Sequence, residues 1–144
     1  MNTIQQPAEN GKEKRAIGSN GLLNRKHVKQ TLKLLFSPGE TFEVCLIGPK
    51  IPKSPLWGNE WAGGKKAVIA GWFNDPAKAA DVIIQADGAV SPAGIYCTLN
   101  PVNPALLGRA ENRLKANAPR TADKEITAVR HLLVDADPKR PAGI

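Results

Sequence analysis

No apolar run in this chain approaches the ~18 residues that a membrane-spanning helix requires, so no transmembrane span is expected. Residues 1–20 lack the apolar centre of a secretory signal and are rich in Gln, Asn, Glu, Lys and Gly, which predicts a disordered tail and a cytoplasmic protein. Cysteine is scarce. Cys45 and Cys97 have no CxxC spacing and no neighbouring histidine, which argues against a zinc site or a disulfide framework. Both lie in apolar, strand-like segments and are expected to be buried free thiols. A phosphate-cradling loop is also missing, since Gly63-Gly64-Lys65-Lys66 lacks the full Walker spacing. There is no internal repeat.

Acidic residues are outnumbered: 20 Lys and Arg against 13 Asp and Glu give a net charge of +7. A basic balance of this size favours a polyanionic partner, nucleic acid first among them. At 144 residues the chain suffices for one domain with a real core, expected over residues 21–144.

Asn24 is placed to cap a helix over 25–36, with Val28, Leu32 and Leu35 on one face and Arg25, Lys26, Lys29 and Lys33 on the other. That charged face reads either as solvated or as a nucleic-acid contact. Ser37-Pro38-Gly39-Glu40 makes a turn, and 41–47 alternates as a strand. Pro49, Pro52 and Pro55, with Trp57 and Trp61, predict a long irregular loop over 48–64. A second strand follows over 66–73. Asp75 and Pro76 then open a helix that runs to about Ala86 and ends near Gly88. A third strand spans 94–99. Asn103-Pro104 repeats the cap-plus-proline signal for a helix reaching Lys115, 116–124 is a loop, and 129–134 is a fourth strand. Helices alternating with strands predict a mixed α/β (α+β) fold, with helices packed on a partly parallel or mixed sheet of about four or more strands.

The chemistry concentrates at the last of these strands. His131-Leu132-Leu133-Val134 reads as a buried strand, with His131 at its start, and Asp135 and Asp137 follow two apart. Side chains two apart on a strand share a face, so both carboxylates can converge on one point. Paired carboxylates form a hard-oxygen site for Mg²⁺ or Mn²⁺, whose shells are completed by phosphate and water. Pro138 ends the ladder, and Lys139 and Arg140 bring positive charge for phosphate. Asn100, at the end of the third strand, can reach a nucleotide from a strand's carboxyl end, although turn formation accounts for both Asn-Pro pairs. Trp57, Trp61 and Trp72 can either stack on bases or anchor core and loop.

The runs Gly94-Ile95-Tyr96-Cys97-Thr98-Leu99-Asn100-Pro101-Val102-Asn103-Pro104, 131–138 and Arg140-Pro141-Ala142-Gly143-Ile144 resemble the start of the catalytic domain of mobile-element primase-polymerases. These enzymes of phages and plasmids belong to the archaeo-eukaryotic primase superfamily. The resemblance covers about residues 41–144, and its first catalytic motif, a hydrophobic strand ending in D-x-D, matches Asp135 and Asp137 residue by residue. It implies that these two bind divalent metals for in-line nucleotidyl transfer, with nucleoside triphosphates and a DNA or RNA template as partners and a helicase domain in the full-length protein. The family also uses a later histidine and a third metal-binding acid. His27 and His131 precede the aspartates and cannot stand in for that histidine. The chain is therefore expected to be the amino-terminal module of such a domain, without activity alone.

Two other classes compete. One is a non-catalytic module that binds nucleic acid through its basic surface. The other is a phosphohydrolase of the haloacid dehalogenase type, where Gly-Thr normally follows the second aspartate and Pro138-Lys139 does not match.

Overall fold

The computed structural model describes residues 23–51, 53–58 and 68–134. Asn24 opens the first helix, α1 (Arg25–Leu35), as its spacing predicts: its side-chain oxygen accepts from the Lys26 and His27 N–H groups, which have no partner within the helix. The strand β1 (Phe42–Ile47) follows the Ser37–Glu40 turn, and β2 (Val68–Phe73) pairs with it antiparallel, Val44 opposite Gly71. The second helix, α2 (Pro76–Val90), is capped by Asp75 with Pro76 at its first position. It runs through Gly88 instead of ending there, and closes at Ser91, whose φ of 41° is left-handed.

β3 (Gly94–Cys97) pairs antiparallel with the other side of β1, and the short β4 (Lys115–Ala116) pairs antiparallel with β2. The four strands lie in the order β3-β1-β2-β4. The fold is thus mixed α+β on a four-stranded sheet, as expected, with every one of these ladders antiparallel where a partly parallel or mixed sheet was anticipated. The only parallel pairing among the described residues is an isolated bridge, Trp72 with Glu111.

Strand alternation sends side chains to two layers. Phe42, Val44, Leu46, Ile69 and Phe73 meet α1 and α2 through Leu32, Phe36, Ala79, Ile83 and Ala86. Phe36 stacks on Phe42 with ring centroids 4.4 Å apart. On the opposite face Cys45, Ala70 and Trp72 are covered by Val102, Leu106, Ala110 and Ala118, from a stretch with little regular structure.

Two sequence expectations fail in that second layer. The helix forecast from Pro104 to Lys115 is a 3₁₀ segment, Pro104–Arg109, because the next residues bond to β2. Trp72 N–H donates to the Ala110 carbonyl at 3.1 Å and Asn112 N–H donates to the Trp72 carbonyl at 2.7 Å, so the local helical bonds cannot continue. The strand forecast over 129–134 is also absent: residues 128–134 are neither helix nor strand, and Leu132, Leu133 and Val134 are 81%, 86% and 82% exposed. The expected tail over residues 1–20 lies outside the described residues.

Cys45 is buried on β1, but Cys97 is exposed on the edge strand β3, which corrects the expectation of two buried thiols. Desolvation pushes both thiols above their ordinary value, so solvent access and not thiolate content separates them. One thiol per chain is expected to react readily with an aromatic disulfide reagent in the native protein, and the second only after denaturation. Two fast equivalents would contradict the assigned burial.

Candidate functional site

The segment that leads to the aspartates is anchored along the third strand's extension. Val102 forms antiparallel bridges to Thr41 on one side and Ile126 on the other. Asn103 N–H donates to the Glu125 carbonyl at 2.8 Å, and Thr127 N–H donates to the Pro101 carbonyl at 2.9 Å. Three chains thus lie side by side, with 125–127 outermost.

Asn100 then takes over. Its Oδ1 accepts from the Arg130 and His131 N–H groups at 2.8 and 2.9 Å, and its Nδ2 donates to the His131 carbonyl at 3.0 Å. One carboxamide substitutes for a neighbouring strand, because it offers the same donor and acceptor as a peptide group. His131 Nε2 sits 3.4 Å from the Leu35 carbonyl at the end of α1. Arg130 makes a two-pronged pair with Glu40, Nη1 to Oε2 at 2.7 Å and Nη2 to Oε1. Arg130, and then the Ser37 N–H, hold the Glu40 carboxyl below the usual carboxylate range. The pair is largely solvated, so its stabilising effect is modest; it is present above the ordinary carboxylate pKa and fades as Glu40 is protonated.

Asp135, Asp137, Lys139 and Arg140 lie outside the described residues. The chain that carries them is fixed at His131, four residues before Asp135. Asn100 does not extend toward a free site in this arrangement; both ends of its amide are engaged by main chain. Its role is to position the arm. Among the described residues no group of three or more His, Cys, Asp and Glu side chains could hold a metal.

The second layer holds a polar cluster that the sequence reading did not single out. Glu43 is 1% exposed, and its carboxylate accepts from Arg120 Nε and from the Thr121 N–H at 2.6 Å. Trp72 Nε1 donates to Thr121 Oγ1 at 3.0 Å, and the Arg109 guanidinium lies 5.3 Å from the Trp72 ring centroid while pairing with Glu125 at 2.7 Å. Both oxygens of the buried Glu43 carboxylate and the Trp72 indole N–H find partners in this set, so the cluster ties the irregular layer to the sheet. A glutamate flanked by Phe42 and Val44 within an apolar strand was the available signal.

Trp57 and Trp72 are 1% and 0% exposed, so neither can stack on a base; they are core residues, and Trp61 lies outside the described residues. The basic face of α1 is partly committed as well. Arg25 forks onto Asp81 of α2, and the positive field of Lys29 also lowers the Asp81 carboxyl, behind the dominant Arg25 bond. Lys26 and Lys33 remain exposed. Among the described residues four arginines form ion pairs with carboxylates, while no lysine does.

A groove of about 570 Å³ opens where α1 and α2 meet β3, lined by His27, Thr31, Leu32, Ile83, Ile95 and Cys97 among others. No helix among the described residues is long and apolar enough to cross a membrane. A comparison with protein-family models finds no match, and neither do comparisons with curated proteins and with solved structures.

Proposed function

We propose that this chain supplies two metal-binding carboxylates, Asp135 and Asp137, to a nucleotidyl-transfer centre of the primase-polymerase kind found in phages and plasmids. The observation that carries the reading is the anchoring of the arm: Asn100 and Glu40 hold Arg130 and His131, so the segment that precedes the D-x-D pair in sequence is fixed to the body up to His131. The donor set fits Mg²⁺ or Mn²⁺, since two carboxylates are hard oxygen ligands and nucleotide phosphates supply more of the same. When bound, such metals stabilise the attacking and leaving oxygens of phosphoryl transfer. The chain's own part is to hold the carboxylates together, and Lys139 and Arg140 follow closely enough to neutralise phosphate charge. The template is DNA or RNA, and a helicase domain in the full-length protein accords with the same reading. The test is equilibrium binding of a nucleoside triphosphate with and without Mn²⁺, on the intact chain and on Asp135→Ala. Metal-dependent binding that the substitution removes supports the reading; binding indifferent to both overturns it.

A second reading, a non-catalytic nucleic-acid-binding module, is favoured by the lysines that form no ion pair, Lys26 and Lys33 foremost. Each phosphate neutralised releases counterions, so log K falls with log[salt] with a slope of about 0.9 per contact. Reversing both charges, Lys26→Glu with Lys33→Glu, is expected to weaken binding of a short DNA duplex and reduce that slope by about 2. An unchanged slope would remove α1 from the contact surface.

A further inference from the structure

The outer edge of β3 and the arm beyond His131 belong together. β3 is the end strand of the sheet, and no described strand pairs with its outer side. Thr98 aims its N–H at the Glu43 carbonyl of β1, 3.0 Å away, so by alternation Ile95 and Cys97 turn their N–H and C=O groups outward. Such an open row of donors and acceptors is a template for one more strand.

The arm already occupies the correct track. Residues 125–127 run antiparallel on the outer side of 101–103, and Asn100 keeps 130–131 on that same side. Continued in the same direction, Leu132–Val134 passes alongside β3, within residues 94–99. The groove between α1 and β3 lies beside that line, with apolar Leu32 and Ile95 in its wall. Meanwhile Leu132, Leu133 and Val134 are each more than 80% exposed, an apolar run with no cover in the open arrangement.

We propose that Leu132–Val134 closes onto the free edge of β3 within the same chain, adding a fifth strand outside β3 and placing side chains over the α1–β3 groove. The inference concerns where the arm docks and holds whether or not Asp135 and Asp137 bind a metal. Closure converts three solvated apolar residues into covered ones and satisfies the outward peptide groups of Ile95 and Cys97.

Native Cys97 provides the probe, being exposed on that edge. In a Cys45→Ala background, Leu132→Cys, Leu133→Cys and Val134→Cys are introduced singly, with Leu34→Cys as the control, an 83% exposed position on α1. A disulfide forms only when Cα atoms come within about 7 Å, so mild oxidation reports direct approach. At least one arm position is expected to link to Cys97 within a monomer at least about tenfold faster than the control, because the docked strand raises the local thiol concentration. If all three arm positions react no faster than Leu34→Cys, the closure does not occur. If only cross-linked dimers form, the edge pairs between copies and the intramolecular proposal is overturned.

Discussion

Gly71→Ala is expected to destabilise the protein by about 3 kcal/mol, the upper part of the usual range for overpacking. A methyl group at Gly71 would stand 2.0 Å from the Arg113 carbonyl oxygen and 2.8 Å from its carbon. That carbonyl cannot yield easily. Asn112 N–H donates to the Trp72 carbonyl at 2.7 Å just before it, and Lys115 is paired with Ala70 just after it. The collision is therefore backbone against backbone-fixed methyl, and relief requires the 110–116 stretch to lift from β2. β4 has only two paired residues, so it is the ladder expected to separate first. Urea denaturation measures the loss, and amide exchange at Ala70 and Ala116 locates it. Gly88→Ala serves as the opposite case: Gly88 lies within α2 with nothing within 4 Å of the added carbon, and the change is expected to stabilise by about 0.5–1 kcal/mol. Equal effects of the two substitutions would mean that the close approach at Gly71 is not real.

Asp135→Ala and Asp137→Ala are each expected to lower metal-dependent nucleotide affinity by more than about tenfold, or about 1.4 kcal/mol. Mg²⁺ and Mn²⁺ take few protein oxygens, so removing one of two carboxylates removes half of the protein's hold on the ion. Charge reinforces the effect, because each substitution removes one negative charge from a stretch of sequence that also carries Lys139 and Arg140. Folding gives a clean control. Both apolar clusters are built from residues 28–126, so the urea midpoint of either variant is expected to move by no more than the equivalent of about 0.5 kcal/mol. Loss of binding with an unmoved midpoint separates ligation from stability. Equal losses of both would make the aspartates structural.

What the sequence conveyed about this fold is its local part. Asn24, and Asp75 with Pro76, cap helices that form where their spacing puts them, because caps act through the first few N–H groups only. β1, β2 and β3 were legible from alternation and β-branched content, although the all-antiparallel pairing was not. The second layer was hidden. β4 and the 3₁₀ turn at Pro104–Arg109 exist because Trp72 and Ala70 of β2 claim the backbone of 110–116, a tertiary demand that no local pattern records. Leu132–Val134 shows the same limit from the other side: an apolar run signals that burial is favourable, not which surface provides it. Asn100 was noticed at the correct place but for a different role, since a nucleotide contact and a main-chain anchor call for the same carboxamide.

The central claim is that Asp135 and Asp137 hold a divalent metal together with a nucleotide. Electron paramagnetic resonance of Mn²⁺ tests it most directly, by adding the intact chain, or Asp135→Asn with Asp137→Asn, to a fixed Mn²⁺–nucleoside triphosphate mixture. The intact chain is expected to change the Mn²⁺ spectrum from that of the nucleotide complex in buffer, and the doubly substituted chain to leave it unchanged. Identical spectra for the two proteins would contradict the assignment.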